Sequence, residues 1–198
     1  MTVTIQLIRH GKTKGNLEKR FAGGRTDDSL CTQGKEELNS FVSENIYLNT
    51  DEVFSSPMNR CLETAEIIFP EHKALIIEEF RELDFGIFEN KNHQELNGNQ
   101  DYQKWLDSGG KGNIPGGEKM DDFANRTMAG FNKMISSIEG KETKITAAVH
   151  GGTIMAILFS LNGGNLYDYF CKNGRGYVFE FLTEDKKMLL EVLFEKKQ

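Results

Sequence analysis

The run Val3-Thr4-Ile5-Gln6-Leu7-Ile8 constrains this fold more than any other stretch of the chain. Val3, Ile5 and Leu7 alternate with Thr4 and Gln6, and Ile8 closes an apolar pair, so the run predicts an interior β-strand. It leads straight into Arg9-His10-Gly11. Arg9 is a permanent cation whose planar fork matches phosphate oxygens. His10 titrates near neutrality, so much of it is a neutral nucleophile at pH 7. Adjacent strand residues point to opposite faces. Arg9 and His10 therefore share one ligand only if the strand ends there, and Gly11 permits the bend.

Downstream the chain alternates helix and strand signals. A loop from Lys12 to Leu30 carries Gly15, Gly23, Gly24, Arg20 and Arg25. Thr32 is the expected N-cap of a helix with Leu38, Phe41, Val42 and Ile46 on one face. A short strand over 52–55 ends in Ser55-Ser56-Pro57. A second helix starts near Asn59, with Cys61, Ala65, Ile68 and Phe69 as its stripe and Pro70 as its stop. A third strand over 74–77 leads to Phe80-Arg81-Glu82-Leu83-Asp84-Phe85-Gly86. Residues 90–117 are polar and hold six glycines. They read as short helices and a loop, with 87–117 a candidate lid, open and mobile by its composition. A long helix is expected over 118–138, with Phe123, Thr127, Phe131, Met134 and Ile138 inward. A strand over 145–149 runs into His150-Gly151-Gly152. A mostly apolar, buried helix over 153–161 follows, and two closing strands, 177–182 and 188–194, pair across Glu184-Asp185.

This order predicts an α/β fold, a three-layer α/β/α sandwich with a mostly parallel central sheet, and one domain over 1–198. Ligands in such folds sit at the carboxyl ends of strands. Four such ends carry polar residues: Arg9-His10, Ser55-Ser56 with Arg60 just beyond, Arg81-Glu82, and His150. Gly151-Gly152 opens a helix whose first amides favour an anion. A phosphate monoester needs a nucleophile, charge neutralisation and an acid for the leaving group. Two histidines, Arg9, Arg60 and a carboxylate supply that set. His10, His72, His93 and His150 lack the spacing of a metal site, so neither metal nor cofactor is expected. The net charge of −6 argues against a nucleic-acid partner while leaving a small anionic substrate open. No long apolar run suggests a membrane segment, and Cys31, Cys61 and Cys171 form no disulfide or zinc pattern, so a reducing cytoplasm is the simplest setting. The oligomeric state stays open; a homodimer is one state the sequence allows.

Taken together, these blocks resemble the histidine phosphatase superfamily, the phosphoglycerate mutase-like group. Leu7-Ile8-Arg9-His10-Gly11-Lys12-Thr13 with Asn16 is similar to its signature. Ser55-Ser56-Pro57-Met58-Asn59-Arg60 with Glu63-Thr64-Ala65 is similar to its second block, and Arg81 to Gly86 to the block that carries the acid. Pro115-Gly116-Gly117-Glu118 with Arg126, and Val149-His150-Gly151-Gly152, complete the order. The resemblance implies that His10 forms a phosphohistidine. It implies that Arg9, Asn16, Arg60 and His150 cradle the phosphoryl group, and that Glu82 protonates the leaving oxygen. Thr13 and Gly151 are then expected to line the pocket, and Arg25 to bind substrate. Lys12 stands where the family commonly has Glu, Ser29 where it has Pro, Phe88 where Trp is frequent, and Met155 where Arg is frequent. The expected activity is a metal-independent phosphomonoesterase on a small phosphorylated metabolite. The short branch that includes α-ribazole phosphatase is the one resembled. A cofactor-dependent phosphoglycerate mutase and a broad-specificity sugar phosphatase are the alternatives.

Overall fold

The computed structural model describes residues 2–138, 143–185 and 187–194. Its centre is a six-stranded sheet in the order β3-β2-β4-β1-β5-β6. The strands are β1 (Thr2–Arg9), β2 (Glu52–Ser55), β3 (Leu75–Ile76), β4 (Lys144–Val149), β5 (Gly176–Leu182) and β6 (Lys187–Phe194). β1, β4, β2 and β3 run parallel, whereas β5 and β6 are antiparallel to their neighbours. The sheet is thus mixed, with a parallel majority.

The helices are α1 (Lys14–Leu17), α2 (Thr32–Ser43), α3 (Asn59–Ile68), α4 (His93–Leu96), α5 (Gln100–Asp107), α6 (Met120–Ser137) and α7 (Gly151–Asn162). Alternation along β1 assigns its two faces. Val3, Ile5 and Leu7 pack with Phe131 and Met134 of α6 and with Ile154 and Ile157 of α7. Ile8 packs on the other side with Leu38 of α2 and with Cys61 and Ala65 of α3. Gln6 is the polar member of β1 and is buried. Its Nε2 donates to Thr146 Oγ1 at 2.9 Å and its Oε1 accepts from the Leu48 amide at 3.0 Å, so neither end is left unsatisfied.

Two helix boundaries differ from expectation. Cys31, not Thr32, is the N-cap of α2, and no side chain caps that end. The Cys31 amide instead donates to the Lys12 carbonyl at 3.0 Å, which fixes where the chain turns into the helix. Ile46 lies beyond the helix, because α2 ends at Ser43 and Asn45 turns the chain at φ 53°. Residues 90–117 contain two short helices, α4 and α5. Phe88, Leu96, Tyr102 and Ile114 form a small core there, with Phe21, Phe85 and Trp105 packed against it. Among the described residues no helix is long and apolar enough to cross a membrane.

Candidate active site

The end of β1 is clasped from both sides. The Arg9 amide donates to the Arg175 carbonyl at 2.8 Å, and the His10 amide to the Val149 carbonyl at 2.9 Å. Beyond the strand, the Gly11 amide donates to Thr64 Oγ1 at 2.9 Å, and Asn173 Nδ2 donates to the His10 carbonyl at 3.0 Å. These bonds leave the His10 backbone little freedom.

His10 Nδ1 lies 2.7 Å from the Gly11 carbonyl oxygen. A carbonyl only accepts, so in the neutral ring Nδ1 carries the proton and the lone pair sits on Nε2. Burial, reinforced by the positive charges of Arg60 and Arg9, holds the His10 pKa well below its ordinary value. The ring is thus kept neutral, with a free lone pair on Nε2.

Arg9 Nη1 donates to the Cys171 carbonyl at 2.7 Å, and the guanidinium lies 5.4 Å from the Phe170 ring centre. Its buried Nε has no hydrogen-bond partner among the described residues. That donor stands against Gly151, in the first turn of α7, whose N-terminal end adds further positive character; the next amide, Gly152, already bonds the Glu82 carboxyl.

His150 caps the junction of β4 and α7, and its ring centre is 5.3 Å from that of His10. Both of its nitrogens are engaged. Arg60 Nε donates to Nδ1 at 3.2 Å, and Nε2 lies 2.8 Å from Ser56 Oγ. Nδ1 therefore accepts, and Nε2 carries the proton toward the serine. Arg60 is itself fully buried, with Nη1 donating to Thr26 O at 2.6 Å and Nη2 to Gly23 O at 3.3 Å. Arg60 and His150 thus form a layer directly behind His10.

Glu82 is buried, 8% exposed, and its Oε1 accepts from the Leu83 amide at 2.9 Å. Burial raises its pKa above the ordinary carboxylate value. The Leu83 amide and the charges of Arg60 and Arg9 oppose that rise without cancelling it. The backbone around it is pinned by Arg126, which donates to the carbonyls of Glu79 (2.9 Å), Arg81 (2.6 Å) and Glu82 (3.1 Å). A two-pronged bond to Glu118, at 2.6 and 2.7 Å, fixes the guanidinium. The sequence marks Arg126 and Glu118 only as members of one block. That the arginine holds the Glu82 segment depends on contacts more than forty positions apart.

Part of this cluster faces a cavity of about 520 Å³. Arg9, His10, Asn16, Glu82 and Gly151 line it, so five of the nine nominated residues meet there. Thr13 is buried beneath, capping α1 and accepting from the Asn16 amide. Arg25 lies apart from this cavity. It is exposed and donates to Asp84 Oδ2 at 2.9 Å and to the Gly116 carbonyl, facing a separate hollow with Arg81 and Glu118. The Gly24 amide donates to the Leu83 carbonyl at 2.9 Å.

The two shifted groups set a pH profile. His10 stays unprotonated well below its ordinary value of about 6.5, and Glu82 keeps its proton above the usual carboxylate range. If the two react as base-like nucleophile and acid, kcat/KM is expected to fall as pH rises and Glu82 ionises, on a limb displaced above that of an ordinary carboxylate. The alkaline limb should vanish in Glu82→Gln. An unchanged limb in that variant counts against these assignments.

The family model described as "Histidine phosphatase superfamily (branch 1)" matches residues 5–190. The chain is 28% identical to Probable phosphoglycerate mutase GpmB of Proteus mirabilis, over 80% of this chain and 74% of that protein. It superposes on the α-ribazole phosphatase of Shigella flexneri with a TM-score of 0.83 at 22% identity, covering 98% and 96% of the two chains. A mutant phosphoserine phosphatase of Entamoeba histolytica, in complex with phosphoserine, gives a TM-score of 0.79 at 26% identity, covering 98% and 97%.

Proposed function

The chain belongs to the histidine phosphatase superfamily, and we propose that within it this protein is a phosphomonoesterase working through a phosphohistidine at His10. One observation carries this reading: a histidine whose Nδ1 is committed to a carbonyl shares a cavity with a buried glutamate of raised pKa. In the first step the His10 Nε2 lone pair bonds to phosphorus as the phosphorus–oxygen bond to the alcohol breaks. The Glu82 carboxyl gives its proton to the departing oxygen. In the second step water attacks phosphorus, Glu82 takes a proton from it, and the nitrogen–phosphorus bond breaks to release phosphate. The free Nε of Arg9 and the N-terminal end of α7 neutralise the phosphoryl oxygens. Arg60 extends that positive field from behind, the neutral His150 ring accepts its Nε bond, and Asn16 completes the rim.

We read the whole chain as one catalytic unit in a reducing cytoplasm, consistent with its three free cysteines. The substrate is a small phosphorylated metabolite, with α-ribazole 5'-phosphate the specific candidate supplied by the resemblance of the Phe85-Gly86 and Pro115-Gly116-Gly117-Glu118 blocks. A mutase is the second reading, favoured by the likeness to the Proteus mirabilis protein. A mutase must hold a second anionic end and keep water from the phosphohistidine. Arg20, which lines the cavity, is already bound to Glu18 and Glu95 at 2.6 Å each.

Brief reaction with labelled ester, quenching in base and mapping is expected to place the phosphoryl group on His10. Label on a serine or aspartate overturns the mechanism. In the same preparation, 3-phosphoglycerate with a 2,3-bisphosphoglycerate primer should yield free phosphate. Efficient formation of 2-phosphoglycerate with little phosphate would establish the mutase instead.

A further inference from the structure

The cavity is much larger than a phosphoryl group needs, and its remaining lining is mostly apolar and rich in aromatic rings. On one side Phe21 packs against Phe85 at 5.2 Å and edge-on to Trp105 at 5.6 Å. On the other stand Phe159, Tyr167 and Phe170, which are 41%, 49% and 55% exposed. The Tyr167 hydroxyl donates to the Gly109 carbonyl at 3.0 Å, tying the two sides together. Three large rings held open to water around one hollow mark a binding surface rather than a core. A mostly apolar cavity of this size is that of a site for a drug-sized ligand.

Charge narrows the ligand further. Among the described lining residues the cations are Arg9, Arg20 and Lys111. Arg9 serves the phosphoryl group, and Arg20 is paired twice over. Lys111 is exposed at the margin, on a lining that also holds Asp121. A second anionic end therefore has little to bind.

From this arrangement we infer that the cavity above His10 is a leaving-group site for a flat, uncharged aromatic group, so that the substrates are phosphate monoesters of aromatic-bearing alcohols. The inference rests on the reading of His10 and Glu82 as the reacting pair. The alcohol's ring system lies between the Phe21–Trp105 wall and the Phe159–Tyr167 wall, with its oxygen toward Glu82.

The test compares 2-(1-naphthyl)ethyl phosphate with ethyl phosphate. Both leave as primary alcohols, so the difference reports binding of the ring rather than leaving-group chemistry. The naphthyl ester is expected to show a kcat/KM at least about 100-fold higher, given the apolar area it buries. Phe159→Ala should shrink that ratio by about 10-fold, because it removes one wall. Trp105, the single tryptophan of the chain, gives a second readout: its fluorescence should change saturably with 2-phenylethanol and not with ethanol. If ethyl phosphate labels His10 and the ratio is near one, the leaving-group site is wrong while the phosphatase stands. If no ester labels His10, the phosphatase reading falls, and the Trp105 titration alone decides whether the cavity takes aromatic alcohols. A preference for 3-phosphoglycerate over the naphthyl ester overturns the inference.

Discussion

His10→Ala is expected to lower kcat by about five orders of magnitude, the scale on which removal of a covalent nucleophile acts. Nothing else in the cavity replaces it. The nearest ring, His150, has Nδ1 engaged by Arg60 and Nε2 by Ser56, so no lone pair of that ring is directed at a substrate. The fold should survive. The backbone bonds that clasp β1 come from main-chain groups of residue 10, which alanine keeps. Melting temperature and circular dichroism measured beside the rate would show an unchanged fold with lost turnover. A loss of less than about 10-fold would place the nucleophile elsewhere.

The second large effect is selective. Glu82→Gln should slow ethyl phosphate by about 10³-fold, within the range for a general acid. p-Nitrophenyl phosphate should lose less than about 10-fold, since its leaving group departs without a proton. The amide keeps the shape and still accepts from the Leu83 amide, so the change isolates the proton. Asp84 is not a rival acid. Its Oδ1 accepts from the Gly86 amide at 2.8 Å, its Oδ2 from Arg25 at 2.9 Å, and it faces the outer hollow. Equal losses on both esters would mean that Glu82 acts by shape or charge alone.

Much of this site was legible because its parts sit where local pattern is loudest. The alternation before Arg9-His10 announces a strand and its end, and Gly151-Gly152 after an apolar run announces a helix start. Arg25 falls outside the cavity, and a loop sequence does not say on which side a side chain leaves. Thr32 looked like a cap by type, but the neighbouring carbonyl of Lys12 decided the turn. Phe159 was expected inside a buried apolar helix, yet it is one of the exposed rings of the cavity. Its partner wall, Phe21 and Trp105, lies far away in sequence, and no periodicity links them. Arg60 and His150 were read as phosphate ligands. The bond between them spans ninety positions and belongs to the tertiary fold.

The position of β1 in the sheet has a consequence for synthesis on the ribosome. Both neighbours of the first strand are made late: β4 begins at Lys144 and β5 ends at Leu182. The bond from Gln6 to Thr146 alone spans 140 positions. Until residues 144–182 emerge, the nascent protein carries an apolar-rich strand with two unpaired edges, a template for wrong pairing. The strand end that carries His10 therefore finds its sheet partners only after a long stretch of intervening chain has been made.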